Sequence, residues 1–316
     1  MPKDRAQSGK KVRKNRRRTI YKTALLLILL SLIIILCVNM LFLRQNTRID
    51  RRAILALWSS ESFDEVYRLS SEYLIQRPLD YFLLTINGFS SYQLAIAQIN
   101  NLNMQNFIDS AIWSLRKALL LNEGRIEENG RLYYVLGKAY FYKGAGYGDL
   151  AIKYLEKAIE AGYEETDIPE YLGMSYISVR DYRSSVAAFS KALNPASSIM
   201  PSDTLLLSIA RSYIELGEDD AAHAYIIQCL ETSRDSNMII NSRLLLGEIL
   251  SKKGDFSAAE EQFVLVIEES GGNAEAHFRL GDLYLSNGEV IRARAEWRRA
   301  IQIDPAHLQA RSRLGI

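Results

Sequence analysis

Apolar residues along the chain follow two patterns. The first is an uncharged run over 23–43, 21 residues of which 15 are Leu, Ile, Val or Phe. As an α-helix it would span roughly 32 Å, close to the hydrocarbon thickness of a bilayer, which predicts a transmembrane helix. The second pattern recurs. A small residue follows Leu or Ile at Gly137, Gly173, Ala210, Gly247 and Gly281, at steps of 36, 37, 37 and 34 residues. Three positions later stands Tyr140, Tyr176, Tyr213, Leu250 or Tyr284, one turn on along the same helix face. Each unit then carries a second helical stretch, with small residues at Ala151, Ser185, Ala222, Ala259 and Ala293 and compact ones at Ala158, Ala192, Cys229, Val266 and Ala300. A bulky Leu155, Phe189, Ile226, Phe263 or Trp297 stands between them. This spacing predicts antiparallel helical hairpins in which small residues let the backbones approach and the bulky side chain fills the neighbouring hole.

Turn residues punctuate the same period. Lys143 to Asp149, Arg180 to Tyr182, Leu216 to Asp219, Lys253 to Phe256 and Asn287 to Val290 separate the paired helices. Glycine in most of them supplies a left-handed stop, and an acid then favours the positive end of the next helix. Asn194-Pro195 and Asp304-Pro305 close their units. Upstream the pattern weakens. A short helix over 48–60 precedes a hairpin marked by Phe63 to Val66 and Arg77-Pro78. A second hairpin runs from Leu79 through Gly88 to about Gln98, crosses a polar loop at Asn100 to Asn106, and returns through Ala111, Leu115 and Ala118.

These residues resemble the tetratricopeptide repeat, most closely over 274–305, where Leu280-Gly281, Tyr284, Gly288, Ala293, Trp297, Ala300 and Asp304-Pro305 stand at that family's signature positions. Departures are Ala210 and Ser185 at small positions, Pro169 and His277 where a large residue is usual, and Gly271-Gly272 in place of Pro. The expected fold is all-α, a tetratricopeptide-type solenoid after a single transmembrane helix. Its divisions are a basic tail (1–22), the membrane helix (23–43), degenerate hairpins (44–129), five repeats (about 130–165, 166–202, 203–239, 240–273 and 274–305) and a capping helix (306–316).

The resemblance implies a right-handed superhelix whose concave wall is built from first helices and binds protein or peptide partners. Its candidate contacts are Tyr134, Lys138, Phe141, Tyr171, Met174, Leu207, Arg211, Leu244, Glu248, Phe278 and Asp282. Arg131, Tyr142, Glu170, Ile177, Thr204 and Leu285 fall on the same wall in this frame. Heat-shock co-chaperones of the family clamp a carboxylate terminus with Lys and Asn one turn apart. Here the matching pairs are Tyr134/Lys138, Glu170/Met174, Leu207/Arg211, Leu244/Glu248 and Phe278/Asp282, from which no such clamp assembles.

Charge gives the membrane segment a direction. Residues 1–22 hold ten Lys or Arg and one Asp, a net +9 that leaves −7 for 23–316 within the overall +2. The positive-inside rule puts the N-terminus in the cytoplasm and the repeats outside. The run Lys10 to Arg18 could serve as a nucleic-acid patch, but topology and attraction to anionic lipid account for it more simply. The acidic body argues against nucleic-acid binding. Cys37 and Cys229 form no disulfide framework.

Chemistry has little support. His223, His277 and His307 match no metal-ligand spacing, and the sequence contains no Walker loop and no Gly-x-Ser-x-Gly. Gly144-x-Gly146-x-Gly148 lies between helices and reads as a lengthened turn. No enzyme, metal or cofactor is expected. Bacterial relatives of this layout serve secretion, outer-membrane assembly, division or the collar of periplasmic flagellar motors. The resemblance thus implies an inner-membrane scaffold with periplasmic repeats. The alternative is a membrane-tethered co-chaperone or import receptor with cytosolic repeats.

Overall fold

The computed structural model describes residues 30–36, 50–125, 127–193, 201–270 and 272–316. The basic tail, most of 23–43, Cys37, Asn194-Pro195 and Gly271 lie outside them. Within 23–43 the described stretch 30–36 is helical, with Leu30 to Leu36 exposing six apolar side chains. No helix among the described residues is long and apolar enough to cross a membrane. All regular structure among these residues is helical.

The chain divides into two compact units, 1–86 and 87–316. In the first, α1 (Arg51–Ser59) begins at Asp50, whose carboxylate accepts from the Arg52 and Ala53 amides at 3.1 Å. It packs on α2 (Phe63–Gln76) through Ile54, Val66 and an edge-on Trp58–Phe63 contact at 5.0 Å. Helix α3 (Tyr81–Ile96) runs through the boundary.

The second unit continues with α4 (Asn101–Leu121), α5 (Gly130–Lys143), α6 (Gly148–Glu160), α7 (Ile168–Ser178), α8 (Tyr182–Ala192), α9 (Asp203–Leu216) and α10 (Asp219–Thr232). It ends with α11 (Ser236–Lys252), α12 (Phe256–Ser270), α13 (Ala274–Ser286), α14 (Val290–Ile303) and α15 (Leu308–Leu314). Helices α5/α6, α7/α8, α9/α10, α11/α12 and α13/α14 pair as hairpins, and each second helix packs on the first helix of the next hairpin. First helices of neighbouring hairpins also touch one another, more closely than second helices do. The stack therefore bends with its first helices on the inner side.

Each hairpin is locked by the small-against-bulky pair that the spacing predicts. A Cβ built on Gly137 would lie 2.7 Å from Leu155 Cγ, on Gly173 2.4 Å from Phe189 Cε1, on Gly247 2.6 Å from Phe263 Cε1, and on Gly281 2.6 Å from the Trp297 ring. Ala210 stands at the same place in its hairpin, in one core cluster with Ile226. The rule extends upstream, since a Cβ on Gly88 would meet Leu115 at 2.5 Å. The degenerate hairpin α3/α4 keeps the interlock while losing the other signature residues.

Two expectations are corrected. The polar loop at Asn100 to Asn106 is almost wholly the first turns of α4: Asn100 caps that helix, its side chain accepting from Leu102 N at 2.8 Å. Asparagine both interrupts a helix and starts one, and here it starts one. The division at 239/240 falls inside α11, which begins at Ser236 because Asp235 accepts from the Asn237 and Met238 amides. The extra turn brings Met238 against Leu206, Leu207 and Cys229.

Candidate partner-binding face

Helix α5 places Tyr134, Lys138, Phe141 and Tyr142 toward α7, and their polar ends are already engaged. Lys138 Nζ donates to Asp167 Oδ2 at 2.7 Å and to Tyr134 Oη at 2.9 Å, and Tyr134 donates to Asp167 at 2.9 Å. The same ammonium lies 4.4 Å from the Tyr171 ring centre, 4.9 Å from that of Tyr134 and 5.9 Å from that of Tyr92. The Lys138 side chain is 12% exposed. Tyr142 and Tyr171 share a hydrogen bond at 2.9 Å, and Phe141 stands edge-on to Tyr171 at 5.1 Å. Cation–π and charge-assisted contacts of this kind strengthen as water is excluded. The cluster therefore bonds three successive hairpins together rather than offering a free ammonium to a ligand.

Burial pushes the phenol pKa values of Tyr92, Tyr134 and Tyr171 well above the ordinary tyrosine range. Hydrogen bonding to Asp167 adds to the effect at Tyr134, and bonding to Tyr142 adds to it at Tyr171. Tyr176, half-buried and donating to Glu156 at 2.7 Å, is raised to about 12.

At the other end of the unit, Arg279 links Glu248 and Glu275, both at 2.6 Å. Asp282 accepts from Trp297 Nε1 at 3.1 Å and from Arg313 Nε and Nη2 at 3.1 and 3.0 Å. Lys252 lies 3.8 Å from Glu248. The charges of this segment are thus largely matched within the fold.

The candidate residues separate accordingly. Leu207 and Phe278, expected on the wall, are 4% and 8% exposed. Leu207 packs with Leu206, Cys229, Met238 and Leu245, and Phe278 lies 5.0 Å from the His307 ring. The reason is the direct contact between first helices, which covers the wall positions turned toward the next hairpin. Met174 and Leu244 are half-buried against the core clusters around Phe189 and Phe278. Tyr134, Lys138, Phe141 and Tyr171 come together in the aromatic cluster, while Glu248 and Asp282 enter ion pairs. Arg211 alone of the eleven is exposed, on the α9 side that also carries exposed Thr204 and Glu215, and it has no ion-pair partner among the described residues. Leu285 is a further exposed apolar residue of a first helix, at 39%.

Sequence reasoning passed over Asp167, Tyr92 and Arg313; it places Glu275 on the wall of first helices and weighs His307 only as a metal ligand. Asp167 stands just before α7, at a position of its repeat that no signature residue marks, and the available hint was Lys138 one turn after Tyr134 with no acid on its own helix face. No group of three or more His, Cys, Asp or Glu among the described residues could hold a metal ion.

Comparison with known proteins agrees with the hairpin architecture. Sequence models of the tetratricopeptide repeat match residues 204–236 and 244–307. No curated protein matches the chain in sequence. Among solved structures, the C-terminal part of a tetratricopeptide repeat-containing protein from Cytophaga hutchinsonii is 16% identical, covers 83% of this chain and 98% of its own, and superposes with a TM-score of 0.57. YrrB, a tetratricopeptide-repeat protein with an unusual peptide-binding site, is 21% identical over 64% of this chain and 98% of its own, at a TM-score of 0.48. MamA of AMB-1 is 20% identical over 57% of this chain and 94% of its own, at 0.46. Among its described residues the chain is therefore an all-α array of helical hairpins, with tetratricopeptide repeats matched over 204–236 and 244–307, and domains of that repeat bind protein and peptide partners.

Proposed function

We propose that this chain is a membrane-anchored scaffold whose first-helix face holds a segment of a partner protein during assembly of a bacterial cell-envelope complex. The observation that carries the binding role is the continuous face of first helices in 130–316, where most charges are matched internally but Arg211 remains exposed between polar and apolar neighbours. Such a face suits an extended or helical segment with apolar anchors and an acid opposite Arg211. Arg211→Glu combined with Leu285→Glu alters two exposed side chains and leaves the hydrogen bonds described above intact. In affinity capture from membranes, the double variant is expected to lose partners held by the parent chain while keeping its helical circular dichroism. An unchanged partner set would contradict this use of the face.

The anchor and its direction rest on the uncharged run 23–43, the ten basic residues before it, and the six apolar side chains exposed over 30–36, which call for a non-aqueous neighbour. In this reading the N-terminus is cytoplasmic and the repeats are periplasmic, bracing a secretion, outer-membrane assembly or collar-type motor complex. Alkaline phosphatase fused after Ile316 is expected to be active. Activity only from a cytosolic reporter at that position would favour the tethered co-chaperone or import receptor instead.

A further inference from the structure

The outer face of α4 is unlike those of the later second helices. From 81 to 108 the chain holds no Asp, Glu, Lys, Arg or His, an uncharged run longer than 23–43. It forms α3, the connection to α4 and the first two turns of α4. Packing explains α3, which is mostly buried, but not the end of the hairpin. There Ile96 is exposed, Ile99 wholly so, and Leu102 is 70% exposed. Along α4, Leu102, Trp113 and Leu120 lie within about 20° of one direction on the helix. Trp113 is half-exposed and Leu120 is 71% exposed. Arg116 and Lys117 flank this stripe, with the Lys117 ammonium 3.7 Å from the Trp113 ring centre. Asp109, the single acid of α4, is paired with Lys143. By contrast α12 turns Glu261 and Glu268 to solvent, and α14 turns Arg294 and Arg298.

We propose that the outer face of α4 and the α3–α4 tip rest in the headgroup layer of the bilayer that holds 23–43, with anionic lipid as the partner. The proposal rests on the anchor reading given above. A helix lying in a membrane surface needs exposed apolar side chains along one stripe, an aromatic ring at the boundary, and cations beside the stripe that reach phosphates. Leu102, Trp113 and Leu120 supply the stripe, and Arg116 and Lys117 the cations. Asn101, Asn103 and Asn106 bring amides rather than charges, and these hydrogen-bond at headgroup depth, so the contact is shallow. Charge favours this face over the rest of the unit. Helix α4 carries two bases against one acid, whereas 203–289 carries 16 acids against six bases and is repelled by anionic lipid. The contact would hold the first hairpin of the second unit against the membrane and leave the later first helices to face a protein partner.

The test uses the full chain with Cys37→Ser and Ile99→Cys, the new thiol carrying an environment-sensitive fluorophore; Cys229 is buried. The protein is reconstituted into vesicles of phosphatidylcholine with phosphatidylglycerol. Emission at position 99 is expected to shift to the blue and to be quenched by nitroxide-labelled lipid, while the same label placed by Glu261→Cys on α12 stays as in water. Arg116→Gln and Lys117→Gln are each expected to lower the ratio of quenched to unquenched label about fivefold, with helical circular dichroism unchanged. A chain that floats with the vesicles while position 99 stays in water would overturn the proposal and leave the anchor standing. A chain that does not float would overturn both. A blue shift that grows with protein concentration and is not quenched by the nitroxide lipid would mean that a second copy covers the face, which also overturns it.

Discussion

Phe189→Ala is expected to lower the stability of the second unit by about 3–5 kcal/mol, the usual cost of emptying a buried aromatic site. Phe189 is 0% exposed and fills two gaps at once. Within its hairpin it occupies the hole left by Gly173, and toward the next hairpin it packs with Leu205, Ile209, Tyr213 and Tyr225. The cavity therefore weakens both the hairpin and the interface that transmits cooperativity along a repeat array. Thermal unfolding followed by circular dichroism should move down and broaden as α7/α8 uncouples. Gly173→Ala checks the same interlock from the other side. In an ordinary helix this change stabilises by about 1 kcal/mol, but here the new Cβ would sit 2.4–2.7 Å from three atoms of a ring that has nowhere to go. Overpacking of this kind costs about 1–3 kcal/mol, so the net sign is destabilising. Adding Phe189→Leu to Gly173→Ala should recover part of the loss, a coupling between the two sites that independent effects would not produce.

The second large effect is alkaline unfolding. An unfolded tyrosine ionises near pH ~10, whereas Tyr92, Tyr134, Tyr171 and Tyr176 hold their protons above that range in the folded chain, Tyr176 to about 12. Groups whose folded pKa is raised contribute stability that is fully present below the unfolded value and is lost as pH rises toward the folded one. Near-ultraviolet absorbance of tyrosinate should therefore show a late step that coincides with loss of helical circular dichroism. Ionisation of every tyrosine in one normal step, with the helices intact, would contradict the cluster. Lys138→Ala belongs to the same test: it removes the ammonium bonded to Asp167 and Tyr134, and hydrogen bonds to charged groups contribute about 1.5–3 kcal/mol. The cost should lie toward the low end, because Asp167 is 35% exposed and regains water.

The hairpins were legible because their physics repeats. A glycine or alanine opposite a large side chain is needed wherever two helices cross closely, so the pairs Gly137/Leu155, Gly173/Phe189, Gly247/Phe263 and Gly281/Trp297 recur at a fixed period that sequence alone exposes. Helix starts were less legible, since Asn100 and Asp235 cap helices inside polar runs that also suit loops. The candidate face was only partly legible. The repeat frame identifies which residues stand on first helices, but not how much of each is covered by the first helix of the next hairpin, and that contact removes Leu207 and Phe278. Nor does a frame built on helix-crossing positions weigh the residues that precede a first helix, which is why Asp167 and His307 escaped it although each bonds two elements together.

The central claim, that the first-helix face of 130–316 receives a partner protein, is tested most directly by site-specific photo-crosslinking in intact cells. A photoreactive residue at Arg211 on α9 is expected to yield a discrete crosslinked product, and one at Arg298, exposed on the second helix α14, is expected to yield none. Products of equal abundance from both positions, or a product from Arg298 alone, would contradict the assignment of the binding face.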